Sequence, residues 1–183
     1  MDSNLEIYFS WYLDELKQAG YVRKWTPQPM SYVLFEKATY TWEKSLKTKV
    51  KEVELMIPEL SQHVYTPDFQ IEWKGKARDV FFSEIWYGKK ALVDYPFIAK
   101  NNVSIIEVKP PKDRYNMLRV FATNQKWMWA KYGIYVQKVV PDELFERTFV
   151  PLRYLVCDKK LLQRRNIKYP VKMLNEYVRD ETK

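Results

Sequence analysis

Residues 103–140 constrain the fold of this chain more than any other stretch. Val103–Lys109 reads as a strand, and its first four residues, Val103-Ser104-Ile105-Ile106, are apolar or small, as in a strand covered on both faces. Asp113–Tyr132 follows as a helix. Its predicted apolar face carries Leu118, Phe121, Ala122, Met128, Trp129 and Tyr132, and Gly133 stops it. Ile134–Val140 then reads as a further core strand. Strand, helix and strand in this order are the elements of a sheet with a helix beside it.

The polar end of the first of these strands draws the functional reading. Period-two alternation puts Val103, Ile105, Glu107 and Lys109 on one face, so a carboxylate and an ammonium point the same way at the end of an otherwise apolar strand. Burying both is costly unless something pairs with them or uses them. An upstream strand, roughly Gln62–Trp73, offers Asp68 directly after Pro67, and a proline there argues for an edge or a local bend. Two carboxylates converging beside a lysine make a hard-oxygen site suited to Mg²⁺, which takes few protein ligands and keeps waters for a substrate phosphate. Such a metal polarises a phosphodiester and lowers the pKa of a bound water. Lys109 is the candidate to orient that water or to offset charge in the transition state.

The remaining elements are arranged around this pair. Asn4 to about Gly20 has helical spacing of Leu5, Phe9, Tyr12, Leu13 and Leu16, with Ser3 or Asn4 as cap and Gly20 as stop. Glu6 falls at the edge of that buried face, where it can reach a cleft; Asp14 points the opposite way, and Glu15 is the weaker substitute. The prolines at 27 and 29 end this region. Alternating segments at Met30–Trp42 and Lys49–Ile57, separated by a lysine-rich turn, form an added β-rich N-terminal segment. Lys74-Gly75-Lys76 reads as a turn, Val80–Trp86 as a possible strand, and Tyr87–Asn102 as a loop or insertion. Beyond Pro141, a short helix near Asp142–Arg147 and a strand near Val150–Val156 are expected, with a loosely packed basic end. No linker divides the 183 residues, so the chain is read as one domain 1–183, with a core of about 4–140 and a C-terminal extension 141–183.

Composition limits the partners. A net charge of +8 draws the chain to polyanions, nucleic acid first among them, and no apolar stretch is long enough for a membrane span. The first residues lack the basic and apolar regions of a signal peptide, and the single cysteine, Cys157, excludes an internal disulfide or a cysteine-rich zinc site. A cytoplasmic location is therefore expected. Aromatics make up 16% of the chain; most belong to the core, and a few on a basic face are candidates to stack on unpaired bases.

Pro67-Asp68, then Glu107-Val108-Lys109, with an upstream helix glutamate and a following helix and strand, resembles the PD-(D/E)xK nuclease superfamily over roughly Asn4–Val140. The resemblance implies an α/β restriction-endonuclease-like fold, a mixed central sheet flanked by helices, and Mg²⁺- or Mn²⁺-dependent hydrolysis of DNA phosphodiesters. It also implies Asp68, Glu107 and the Val108 carbonyl as metal ligands, Glu6 as a further ligand directly or through water, and Lys109 as the catalytic lysine. Tyr65-Thr66-Pro67-Asp68-Phe69 and Ile105-Ile106-Glu107-Val108-Lys109-Pro110 are most similar to small phage-encoded or transposon-type endonucleases, which would act in the host cytoplasm if phage-encoded. Related resolvases work as dimers, so a homodimer is an open expectation. The wide separation of Asp68 and Glu107 departs from the short hairpin common in the superfamily and implies an inserted hairpin or loop. Some members carry Gln-x-x-x-Tyr on the following helix; Gln125 answers to it in part, with Trp129 four residues on and Tyr132 a turn later.

Other residues carry two readings each. Gln125 is a candidate site residue or a structural hydrogen-bond donor to the neighbouring strand. His63, the single histidine, is a general base or a structural group. Lys44, Lys47, Lys49 and Lys51, and likewise Lys159, Lys160, Arg164 and Arg165, either line a solvated face or track phosphates. Cys157 has no partner for nucleophilic catalysis. The expected function is a structure-selective or DNA-processing endonuclease. The alternative is a catalytically inactive nucleic-acid-binding protein that retains the fold; an RNA-directed nuclease differs only in substrate.

Overall fold

The computed structural model describes residues 3–56, 60–85, 95–111, 117–156 and 167–181, and excludes the side chains of 43, 44, 46, 54–56, 117 and 118. Cys157, Lys159, Lys160, Arg164, Arg165 and the segment 86–94 lie outside the described residues, as does the side chain of Lys44.

The first helix, α1 (Asn4–Gln18), is closed at both ends by its own sequence. The Ser3 hydroxyl accepts from the Glu6 N–H at 3.3 Å and donates to Glu6 Oε1 at 2.9 Å, tying the first turn. At the other end Gly20 takes φ +80°, and the N–H groups of Gly20 and Tyr21 return to the carbonyls of Lys17 and Leu16. Phe9, Tyr12, Leu13 and Leu16 are fully buried, as the helical spacing requires.

Strand β1 (Val22–Pro27) follows directly. Sequence reading placed no strand here: Arg23 and Lys24 are exposed and only Val22 is buried, the pattern of a sheet edge. The expected segment Met30–Trp42 is two strands, β2 (Tyr32–Phe35) and β3 (Thr39–Leu46), and β3 pairs antiparallel with β4 (Lys49–Met56). Gln62–Trp73 is likewise divided, into β5 (His63–Tyr65) and β6 (Phe69–Trp73), with Pro67 and Asp68 in the break. Gly75–Ala77 is a 3-10 turn. Then come β7 (Phe82–Glu84) and β8 (Phe97–Ala99), a parallel pair. The end of the expected loop Tyr87–Asn102 is thus a strand, fixed by burial of Phe97 in the core.

Strand β9 (Val103–Val108), helix α2 (Met117–Tyr132) and strand β10 (Val136–Val139) are the strand–helix–strand unit expected from the sequence. The central mixed sheet has the order β1-β6-β9-β10, with β6 antiparallel to both β1 and β9 and β10 parallel to β9. Asp68, in the bend that leads into β6, is therefore brought beside β9, which carries Glu107, although β7 and β8 intervene in sequence. One sheet face, with Phe69, Ile71, Ile106 and Val108, joins the core under α1. The other, with Ile105 and Val136, packs on Phe121 and Met128 of α2 and on Tyr32, Leu34 and Tyr65 of the β2–β5 ribbon.

The buried face of α2 is rotated from the expected one. Phe121, Asn124 and Met128 are buried, while Ala122, Trp129 and Tyr132 are exposed. Helix α3 (Pro141–Arg147) is where the sequence placed it. The expected strand Val150–Val156 is instead a single helical turn, α4 (Leu152–Leu155), whose Leu152 N–H donates to Glu15 Oε2 at 2.9 Å. The basic end also packs more firmly than expected: α5 (Leu174–Glu181) buries Tyr177, which donates to the Val80 carbonyl at 3.2 Å. Among the described residues no helix is long and apolar enough to cross a membrane.

Candidate active site

Asp68 is held from both of its neighbouring strands. Its backbone carbonyl accepts from the N–H of Gln28, just past β1, at 2.8 Å, and its Oδ2 accepts from the Val108 N–H on β9 at 2.7 Å. Pro67 breaks the strand, so Asp68 lies in the bend before β6 and its carboxylate reaches β9 where a ladder bond would otherwise form. Backbone N–H and C=O of one strand residue face the same sheet edge. The Val108 carbonyl consequently shares the Asp68 side, while the Lys109 N–H turns to β10 and donates to the Val139 carbonyl at 2.8 Å.

Glu107 and Lys109 share a face, as alternation requires, and both are buried, at 7% and 8% exposure. The Lys109 ammonium lies 2.7 Å from Glu107 Oε1. The other carboxylate oxygen, Oε2, accepts from the Tyr65 hydroxyl at 2.7 Å. A buried carboxylate with both oxygens engaged is tolerable where an isolated one is not. Burial, Glu107 and Asp68 together push the Tyr65 hydroxyl well above the usual phenol range, which keeps it a neutral donor.

The Asp68 carboxyl is pushed up to about 7. Burial is the largest cause and the Glu107 charge the next; the Val108 N–H opposes them, Glu6 raises it further, and Lys109 lowers it. Negative charge therefore gathers at this point faster than Lys109 offsets it. Glu6 contributes from the first turn of α1, half-buried and bonded to Ser3. Glu15, the substitute for it, caps α4 instead.

A divalent metal fits this donor set. Asp68, Glu107 and the Val108 carbonyl are hard oxygen donors, and burial together with the Glu107 charge disfavours the ionised Asp68 carboxylate, a cost that a cation would relieve. Among the described residues no three His, Cys, Asp or Glu side chains are gathered closely enough to hold a metal by themselves. A metal held here would take two carboxylates and a carbonyl from the protein and fill its other positions with water.

Gln125, on α2, reaches the sheet at a different point. Its Nε2 donates to the Val136 carbonyl at 2.6 Å, and Val136 pairs with Ile105, two residues before Glu107. The bond to the neighbouring strand is the structural arrangement, and Gln125 has no described bond to Asp68, Glu107 or Lys109. His63 Nε2 lies 2.9 Å from Asn124 Oδ1, joining β5 to the buried side of α2. Sequence reading gave no role to Tyr65 or Asn124. Tyr65 resembles any core aromatic in a strand, and its hydroxyl partner is set only by folding. Asn124 had a signal: it lies between Phe121 and Met128 at helical spacing. Compared with known protein families, with characterised proteins and with solved structures, the chain finds no match.

Proposed function

We propose that this chain is a Mg²⁺- or Mn²⁺-dependent deoxyribonuclease of the PD-(D/E)xK kind, with a restriction-endonuclease-like core. The observation that carries the reading is the meeting of Asp68 and Glu107 at the ends of adjacent strands, with Lys109 2.7 Å from Glu107 and the Asp68 carboxyl raised to about 7. A protein that only binds nucleic acid gains nothing from converging carboxylates, which repel phosphate. The mixed sheet flanked by helices and the basic balance of the chain support the same reading.

Asp68, Glu107 and the Val108 carbonyl would hold the cation, with Glu6 adding negative charge from α1. When bound, the metal supplies Lewis acidity at the phosphodiester and lowers the pKa of the attacking water. Tyr65 fixes the Glu107 carboxylate so that it need not reorganise when charge changes nearby. Lys109, tethered to Glu107 and buried against water, presents a fixed positive charge to the scissile phosphate and to the nucleophile.

The test is incubation of plasmid, single-stranded, branched DNA and RNA with Mg²⁺, Mn²⁺ or EDTA. Cleavage of DNA that needs the metal and is lost in Lys109→Ala supports the proposal. If the wild type cuts nothing while Lys109→Ala binds DNA equally well, the enzyme reading is lost and a non-catalytic binder remains.

A further inference from the structure

The antiparallel register of β3 and β4 divides their hairpin into two unlike faces. Trp42 stands opposite Val53, and Tyr40 lies two residues before Trp42, so these three share a face. Lys51 and Lys49 continue the same face toward the turn, because they oppose positions 44 and 46. The opposite face carries Thr39, Thr41, Ser45, Val50 and Glu52. One side is thus aromatic and then cationic, and the other is hydroxylic with an acid. Tyr40 and Trp42 are 45% and 53% exposed, and Lys49 and Lys51 are exposed as well. Two large aromatics exposed side by side and followed by lysines form a candidate docking surface.

The hairpin continues the ribbon that serves the candidate active site. Tyr65, which donates to Glu107, pairs with Tyr32; Val33 pairs with Val64 and, past a register shift, Phe35 with His63; and the Ala38 N–H donates to the Leu60 carbonyl at 2.9 Å before β3 begins. Whatever the hairpin holds is tied through this ribbon to the strand that fixes Glu107.

We propose that the aromatic face of this hairpin binds unpaired nucleotides, a single-stranded end, flap or branch, and so delivers such DNA to the site. The assignment of a delivery role rests on the nuclease reading; the binding itself does not. Spacing favours bases: residues two apart on a strand are about 6.6–6.8 Å apart, twice the roughly 3.4 Å rise of stacked bases. One base fits between the Tyr40 and Trp42 rings, or successive bases stack on them. Charge favours a strand of nucleic acid over a neutral partner, since Lys49 and Lys51 lie where its phosphates would run on from the stacked base.

The full-length chain is tested in EDTA, where nothing is cut, by fluorescence anisotropy with a labelled 20-nucleotide oligo-dT and a 20-base-pair duplex. Tyr40→Ala with Trp42→Ala should weaken oligo-dT binding by about tenfold or more and duplex binding by less than about threefold. Thr41→Ala with Val50→Ala, on the other face, should change neither. Lys49→Gln with Lys51→Gln should lower the slope of log K against log salt for oligo-dT by about 1.4. Independently of any variant, the wild type should bind oligo-dT about tenfold more tightly than an abasic oligomer of the same length and charge. Equal affinity for the abasic oligomer overturns the proposal. So does wild-type oligo-dT binding by the aromatic double variant, or loss of a dimer in that variant with binding unchanged. If no substrate is ever cut in Mg²⁺ yet the aromatic variant loses oligo-dT selectively, the binding assignment holds, and the nuclease reading falls with the delivery role. If the chain cuts DNA while that variant binds normally, only this proposal falls.

Discussion

Replacing Asp68 with asparagine should make the folded chain more stable above neutral pH and no more stable near pH 4. The folded Asp68 carboxyl is raised from 3.8 to about 7, chiefly by burial and by the Glu107 charge. Below pH 3.8 the acid is neutral in both folded and unfolded chains and costs nothing. Between pH 3.8 and about 7 the folded chain holds a proton that the unfolded chain has released, so stability falls as pH rises. Above about 7 the ionised carboxylate bears its full cost. At about 1.4 kcal/mol per pH unit the displacement corresponds to roughly 4 kcal/mol, and partial exposure of Asp68 with solvent screening reduces it to about 2–3 kcal/mol. Asparagine keeps a carbonyl oxygen to accept from the Val108 N–H, which Asp68 does at 2.7 Å, and its amide can donate where Asp68 only repels.

The assay is urea denaturation of wild type and Asp68→Asn from pH 4.5 to 8.5, in EDTA at fixed ionic strength. The expected difference grows with pH and levels off near pH 8 at about 2–3 kcal/mol in favour of the variant. A variant less stable than wild type at pH 8, or one whose advantage ignores pH, would refute the reasoning. Adding Mg²⁺ at pH 8 should raise the wild-type melting temperature and leave Asp68→Asn unmoved, because a cation that binds only the folded state stabilises it by mass action. The same variant should lose DNA cleavage by about two orders of magnitude or more, since one preorganised electrostatic group contributes on that scale.

Tyr65→Phe removes a 2.7 Å donation to a buried carboxylate and should cost about 1.5–3 kcal/mol in urea denaturation, with cleavage falling as Glu107 loses its anchor. A stability change below about 0.5 kcal/mol would mean the bond is not formed in solution. Gln125→Leu deletes the 2.6 Å bond to Val136 and should cost about 1 kcal/mol of stability while leaving the cleavage rate within about twofold. A large loss of cleavage at unchanged stability would place Gln125 in the site. Gly20→Ala meets φ +80°, a conformation costing an alanine about 1 kcal/mol, and its Cβ would lie 3.2 Å from Lys76 Nζ, a flexible tip able to retreat. Thermal melting should therefore drop by a few degrees.

What the sequence disclosed depended on whether local pattern and tertiary demand agreed. Strand β9 was readable because Ser104, Ile105 and Ile106 are buried on both faces, and α1 because its cap, stop and apolar stripe all coincide. Strand β1 was not, because an edge strand needs no continuous apolar run; its position comes from the ladder with β6 and from the bond between Trp25 Nε1 and Asp14 at 3.0 Å. Val150–Val156 has strand-like composition, yet a distant carboxylate, Glu15, supplies the N-terminal bond that favours a helical turn. Helix α5 did carry a signal, Leu174, Tyr177 and Val178 at helical spacing, which the surrounding charge concealed.

The candidate site divides along the same line. Glu107 and Lys109 were legible because alternation is a property of one strand. The adjacency of Asp68 was legible only as order, since a parallel pair of strands intervenes in sequence between β6 and β9. Tyr65 was hidden, because a hydroxyl's partner exists only after the β2–β5 ribbon has packed on the sheet. These four residues also explain one another physically. A buried Glu107 needs two donors, and it takes them from Tyr65 and Lys109. Lys109, paired with Glu107, only partly offsets the charge at Asp68, whose carboxyl burial and Glu107 raise to about 7 in spite of the Val108 N–H. An apolar pair at positions 68 and 107 would satisfy the sheet at lower cost; under the proposed function, the buried charge kept here is the charge a bound cation would neutralise.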